Sequence, residues 1–299
     1  MRLMHNLESL NIYREHTKVI SRQSEASNRI SSGYKINSAK ENPNAIANSE
    51  KMRIQIRGLQ MAQRNTQDGV SMLQTADGAL DNVTSMLQRI RELTVQSGGA
   101  TTKADRETIQ QEISQMIKGI DDIIKNTEFN GVSLLNAEKN LSGVYNNDSP
   151  SKTLKMSVGA NVGETVDIPL FNLNSNNIGV TNPNGDIING ETLSNVDITD
   201  SAKLGGALKI IDAALNAVIL ARSKYGALEN RFESTYNKIG EIHDTIVGAE
   251  SNIRDADIAE EMMNYTRDNL LIDAGHAMMV QTNKMPQEIL RILENVRSR

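Results

Sequence analysis

The sequence predicts a mainly α protein: long antiparallel helical rods of coiled-coil character, a small β-hairpin region, and discontinuous domains formed by both termini. Three observations lead there. Two stretches without proline, Ala45–Gln96 and Ala202–Lys284, carry apolar residues at helical spacing. Between them, from about Asn136 to Ser201, asparagine, glycine and proline accumulate and strict alternation replaces the helical period. Aromatic residues make up only 3% of the 299 residues, with no tryptophan. A core of Leu, Ile, Met and Ala suits slender packed helices better than a pocketed α/β enzyme.

The first thirty or so residues read as an amphipathic helix on Leu3, Leu7, Leu10, Tyr13, Thr17, Ile20, Ser24, Ser27 and Ile30, a stripe diluted by serine towards its end. So narrow a stripe makes a lone helix marginal in water, and it either needs a partner or stays disordered until it finds one. Ser31–Asn44, with Gly33, Asn37, Asn42 and Pro43, breaks the pattern and reads as an extended connector.

In the first rod, Leu73, Ala76, Leu80, Val83, Leu87 and Ile90 alternate in steps of three and four, the a/d seam of a helix that another helix must cover. One helix over Ala45–Gln96 spans about 78 Å at ~1.5 Å per residue, too long for a single compact globule. Gly58, Gly69 and Gly78 are the expected places for a break or kink, each weakening the helix by roughly 0.8–1.0 kcal/mol relative to alanine. Ser97-Gly98-Gly99 stops it. Thr102 with Asp105 forms a capping box in which Asp replaces the usual Glu. The next helix carries Ile109, Ile113, Met116, Ile120 and Ile123 and ends near Phe129-Asn130-Gly131. The short break between these helices favours an antiparallel hairpin.

Leu154, Met156 and Val158, a glycine-bounded turn at Gly159–Gly163, and then Val166, Ile168 and Leu170 predict a β-hairpin whose second strand Pro169 confines to an edge. Phe171–Thr199 is rich in asparagine and reads as loop or a small exposed excursion. From Ala202 a second seam follows: Leu204, Leu208, Ile211, Leu215, Val218, Tyr225, Leu228, Phe232, Ile239, Ile242 and Ile246. It supplies the cover the first rod lacks. The last segment, Ile258–Val296, holds Met262, Met263, Met278, Met279 and Met285, and Pro286 is expected to bend or break it.

Several function classes are disfavoured. A net charge of −5 and a pI near 5.5 give no footprint for nucleic acid. No cysteine is present, so there is neither disulfide framework nor thiolate chemistry. Residues 1–20 lack the apolar core of a cleaved secretory signal, and no apolar run of membrane-spanning length is apparent. His5, His16, His243 and His276 have no metal-ligand spacing, and Asp121-Asp122 and Glu260-Glu261 are neighbours that diverge on a helix rather than converge as acid and base. With no phosphate loop or nucleophile elbow either, the expectation is a non-enzyme without metal or cofactor.

Several segments resemble landmarks of the bacterial flagellins. They are Ile30-Ser31-Ser32-Gly33-Tyr34-Lys35-Ile36-Asn37-Ser38-Ala39-Lys40, the stretch Leu87–Gln96, Phe129-Asn130-Gly131 with Leu134-Leu135-Asn136, and Val158-Gly159-Ala160-Asn161. Leu228-Glu229-Asn230-Arg231-Phe232 and Asp255-Ala256-Asp257-Ile258-Ala259-Glu260-Glu261 complete the set, in family order. The resemblance implies a short form with two domains. D0 would comprise terminal helices 1–31 and 256–299, joined through a connector at 32–44. D1 would comprise helical rods 45–135 and 202–255, with 136–201 as its hairpin and Asn-rich loop region.

It also implies a function: an extracellular structural subunit that polymerises with itself into the filament for motility. The alternative within the same lineage is a hook–filament junction protein. Export without a cleaved signal peptide, a flagellar export chaperone on the C-terminal helix, and contacts with filament cap and hook-junction proteins are implied as well. Membrane insertion is not expected. Leu3, Leu7, Leu10, Met262, Leu270, Ile289 and Leu293 are the expected polymerisation residues. Gln88, Arg89 and Leu93, with Glu112 on the neighbouring helix, match the motif that the animal Toll-like receptor for flagellin reads.

Overall fold

The structure is a computed structural model, and it describes residues 6–99, 102–136, 152–181 and 187–297. Its helices are α1 (Leu7–Ser32), α2 (Pro43–Ser97), α3 (Lys103–Asn126), α4 (Leu204–Arg254) and α5 (Ile258–Arg297). Between α3 and α4 lie β1 (Glu128–Phe129), β2 (Val132–Ser133), β3 (Lys152–Ser157), β4 (Thr165–Leu170), β5 (Gly179–Thr181) and β6 (Ile187–Thr192), paired as three antiparallel hairpins β1–β2, β3–β4 and β5–β6. Two compact units result: one holds 1–56 and 244–299, the other 57–243.

In the second unit, α2 buries every a/d position from Leu59 to Ser97 in turn: Leu59, Ala62, Thr66, Gly69, Leu73, Ala76, Leu80, Val83, Leu87, Ile90, Thr94 and Ser97. The polar members satisfy themselves locally. The hydroxyl of Thr66 donates to the Ala62 carbonyl at 2.7 Å, that of Thr94 to Ile90 at 2.8 Å, and that of Ser97 to Thr94 at 2.7 Å. None is an orphan in an apolar seam. The covering seam of α4 alternates small and large: Ala207, Ile211, Ala214, Val218, Ala221, Tyr225, then Phe232 and Ile239, all buried. Antiparallel register follows from side-chain bonds that climb α4 as they descend α2. They join Arg91 to Asp212, Asp77 and Asp81 to Arg222, Gln74 to Glu229, and Gln60 to His243. Helix α3 adds Ile113, Ile117, Ile120 and Ile124 to the same core and begins on the Thr102–Asp105 capping box.

The expected break in the first rod does not occur; α2 is one uninterrupted helix. Two of its glycines serve close approach instead. A Cβ at Gly69 would lie 2.9 Å from Met156 Sδ and 3.0 Å from Phe232 Cε1, and one at Gly58 would lie 3.0 Å from Ala160 Cβ. The β3–β4 hairpin and α4 therefore reach the α2 backbone at these points. Gly78 meets nothing within 4 Å.

The expected hairpin forms, with Leu154 opposite Ile168 and Met156 opposite Val166. In a two-stranded sheet both strands are edges, so Pro169 is tolerated. The described parts of Phe171–Thr199 are not an exposed excursion. Phe171, Leu173, Ile178, Leu193, Val196 and Ile198 are buried in the main core, and Gln110 of α3 holds the segment by donating to the Val196 carbonyl at 2.8 Å while accepting from the Ile198 N–H at 2.9 Å. Asn130-Gly131 is the turn of β1–β2, both residues at positive φ (51° and 76°), as a two-residue hairpin loop requires.

In the first unit, α1 and α5 pack antiparallel. Asn6 bonds to Thr282, the His16 ring stacks on His276, Gln23 bonds to Asn269, and Arg29 pairs with Glu261. Beyond α1, Gly33 turns left-handed (φ 73°), and the chain on either side forms a short antiparallel ladder with the junction between α4 and α5. The Lys35 N–H donates to the Arg254 carbonyl at 2.7 Å and the Ala256 N–H to the Gly33 carbonyl at 3.0 Å. The Arg254 guanidinium sits 4.6 Å over the Tyr34 ring and bonds to Glu50 at 3.0 Å. Pro286 does not interrupt α5. One stretch within Ser201–Arg254 is long and apolar enough to cross a membrane. This amends the sequence expectation; its apolar residues include Ile211 and Val218, which face the core.

Candidate functional site

Two surfaces carry the residues singled out from sequence. The first is on the terminal helices. The side of α1 turned towards α5 is Ile12, His16, Val19, Gln23, Ala26 and Ile30, a perfect three-four alternation that buries His16, Val19 and Ala26. It is not the stripe read from sequence: Leu7, Leu10, Tyr13 and Ile20 are all exposed, Leu7 by 66%. The most apolar stripe of the helix is therefore left free, and a less apolar one makes the internal contact.

Helix α5 repeats this division. Glu261, Asp268 and Thr282 are buried, with Tyr265, Ile272, Gly275 and Met279 half-buried along the same seam. Outside it, Met263 and Leu270 lie one heptad apart, as do Leu271, Met278 and Met285, and all are exposed. Met262 and Leu270 belong to this outer face, whereas Leu3 and the side chains of Ile289 and Leu293 lie outside the described residues. The inner seam was missed because it is polar in three of its members. The signal that locates it is Gly275, where a Cβ would come within 2.9 Å of His16 Cδ2. That glycine opens the slot for the ring, which stacks on His276 at a centroid distance of 4.5 Å.

The second surface is a charged patch on α2 and α3. Gln88, Arg89 and Glu112 are exposed, and Arg89 bridges Glu92 at 3.1 Å and Glu112 at 3.9 Å. Leu93 does not join them; it is 3% exposed. Here α2 is flanked on two sides, by α3 through Arg89–Glu112 and by α4 through Arg91–Asp212 at 2.8 Å. The buried stripe accordingly widens to include Leu93 beside Ile90 and Thr94. Thr94 is likewise interior. Among the described residues no three His, Asp or Glu side chains converge as metal ligands. What these surfaces offer chemically is contact: apolar stripes on slender helices, and one arginine forked between carboxylates.

Comparison with known proteins follows the same outline. Residues 3–140 match the family model for the bacterial flagellin N-terminal helical region, and residues 208–293 match that for the C-terminal helical region. The chain is 38% identical to the flagellin of Bacillus subtilis, over 98% of this chain and all of that one. It is 36% identical to the flagellar filament 30.7 kDa core protein of Treponema maltophilum, covering 89% of this chain and 90% of that one. Among solved structures, one described as a flagellar hook-associated protein of Vibrio parahaemolyticus superposes with a TM-score of 0.58 at 16% identity, over 72% of this chain and the whole of that one, a likeness of fold alone. A coiled-coil unit closed by both halves of the chain and matched by both family models leaves one conclusion: the chain belongs to the bacterial flagellin family.

Proposed function

We infer that the protein is a structural subunit that polymerises into the extracellular flagellar filament. The outward stripes of α1 and α5 carry this reading. Leu7, Leu10, Leu270 and the heptad Leu271, Met278, Met285 are exposed although each helix already has its internal partner. An apolar stripe on a paired helix has a second copy of the same chain as its natural cover, and relatives of this chain are named flagellar filament core proteins. The residues 1–31 and 256–299 then act as the polymerising domain, and the rods as the body of the subunit. The sequence alternative, a hook–filament junction protein, has the fold likeness on its side and nothing more.

Elongation of filament seeds by the full-length chain tests the reading. Leu7→Asn and Leu270→Asn should leave the helical circular dichroism spectrum intact and stop elongation. Deletion of Ile258–Arg299 should also stop elongation, losing the helical signal of α5 while sparing the α2–α4 core. Normal growth from all three would overturn it.

A second reading rests on the exposed cluster of Gln88, Arg89 and Glu112, whose planar guanidinium is suited to a receptor's carboxylates or carbonyls. The monomer engages the animal Toll-like receptor for flagellin through these three residues, with Leu93 acting from beneath as packing rather than as contact. Arg89→Ala should lower activation by the equivalent of about 2 kcal/mol of binding, with unchanged melting. Equal signals from both proteins in a reporter assay would exclude the patch. Export in an unfolded state, with a chaperone over Ile258–Val296, completes the proposal; a cytosolic partner that binds equally well without that segment would refute it.

A further inference from the structure

The filament reading explains why the outer face of α5 is apolar but not why it is so rich in methionine. Met262, Met263, Met278 and Met285 are between 47% and 67% exposed. Met279, on the inner seam, is half-buried, and Met72, in the α2 core, is 3% exposed. Outside its inner seam α5 therefore presents four thioethers to solvent, at positions that leucine would fill with similar volume; one other, Met61 of α2, is exposed among the described residues.

We propose that this face is a modification site at which peroxide-class oxidants control assembly, and that Met262, Met263, Met278 and Met285 are its substrate side chains; the proposal rests on the reading of this face as a contact between copies. The chemistry balances without a cofactor. A sulfur lone pair attacks one peroxide oxygen, an S–O bond forms as the O–O bond breaks, and the departing hydroxide takes up a proton to leave water. Each sulfur is oxidised by two electrons and each peroxide reduced by two, giving methionine sulfoxide.

The consequence is physical. A thioether is soft and apolar and fills an irregular groove, whereas a sulfoxide carries a strongly accepting oxygen. Burying that oxygen against an apolar stripe such as Leu7 and Leu10, which offers no donor, is unfavourable. The free subunit is therefore the vulnerable form. Once the face is covered by neighbouring copies the sulfurs are out of reach, and the assembled state protects its own contacts.

The experiment uses the full-length chain. Monomer is treated with hydrogen peroxide, the oxidised residues are mapped by mass spectrometry, and elongation of untreated seeds is measured. Sulfoxide is expected at Met262, Met263, Met278 and Met285 before Met279 and Met72, with elongation falling at least tenfold. The variant M262L/M263L/M278L/M285L retains exposed Met61, and after the same treatment it should elongate at its untreated rate. Treatment with a methionine sulfoxide reductase should restore the wild type. Undiminished elongation of oxidised wild type, or an equal loss in the leucine variant, overturns the proposal. Should the four methionines oxidise as fast in filaments as in monomer, the face is not covered by copies, and the underlying reading falls with it.

Discussion

The Asn6 side-chain amide donates a hydrogen bond of 3.0 Å to the Thr282 carbonyl. Pro286 has no N–H, so this is the very carbonyl it leaves without an intrahelical partner. Asn6 Oδ1 meanwhile accepts from the Ser9 N–H at 3.1 Å and caps α1. One side chain ends one helix and repairs another, so α5 passes Pro286 unbroken.

Asn6→Asp should keep the cap and lose the donor, weakening α1–α5 pairing by about 0.5–1.5 kcal/mol, the worth of one hydrogen bond. Asn6→Ala should lose both, adding roughly 1 kcal/mol for the cap. Hydrogen exchange of α1 and α5 amides in the full chain reads both. In a Pro286→Ala background the Asp substitution should cost less, because the Thr282 carbonyl regains its own N–H; equal costs in both backgrounds would disprove the link.

The glycines of α2 should respond in opposite directions. Gly78→Ala, with open space around it, should raise stability by about 0.5–1 kcal/mol through helix propensity. Gly69→Ala gains the same propensity but presses on Phe232, which is fully buried, and overpacking of this kind costs roughly 1–3 kcal/mol. Thermal melting of the two variants should therefore move Tm up for Gly78→Ala and down for Gly69→Ala.

Arg222 forks between two aspartates of α2, with Nε 2.9 Å from Asp77 and Nη1 2.9 Å from Asp81. Arg222→Ala leaves those carboxylates one helical turn apart and uncompensated. A loss of about 1 kcal/mol in denaturant unfolding is expected, shrinking in high salt because the group is partly exposed. Insensitivity of the loss to salt would point to lost packing of the arginine stem instead.

Asp197 is held down to about 2 by hydrogen bonds from the Lys203 ammonium and from the Thr199 hydroxyl and N–H. Lys203 is raised by the same bond. The Asp197 contribution to stability is therefore complete above the ordinary aspartate range near 3.9 and is lost as pH falls through about 2. Carboxyl chemical shifts should show this midpoint in the wild type and a return towards the ordinary range in Lys203→Met. The effect on global unfolding at neutral pH should be small, since the pair is open to solvent.

Much of this fold is legible in the residues. The seam from Leu73 to Ile90 can only be a covered helix, Thr102 and Asp105 announce the start of α3, and the alternation of Leu154–Val158 and Val166–Leu170 marks the two strands of a hairpin. Those features depend on neighbours a few residues apart, and the backbone periods of 3.6 and 2 write them directly into the sequence. The patch of Gln88, Arg89 and Glu112 is singled out by the family resemblance and not by any local period, and those three residues are exposed.

What the periods do not contain is which partner lies against which face. Leu93 has the spacing of a residue at the edge of its seam and is buried because α3 and α4 both flank α2 there. Leu7 and Leu10 form the more apolar stripe of α1, yet α5 packs against Ile12, His16 and Val19, where Gly275 admits the His16 ring and Asn6 and Arg29 find partners at either end. Phe171, Ile178, Leu193 and Ile198 show no period at all, and they enter the core because Gln110 and the helices around them provide the surface. The sequence by itself determined which segments are helix, strand and turn, because those choices follow from local sterics and hydrogen bonding. Only the tertiary structure decided which apolar faces are buried inside the chain and which stay exposed, because burial is a property of pairs of surfaces and one helix carries no record of its neighbour.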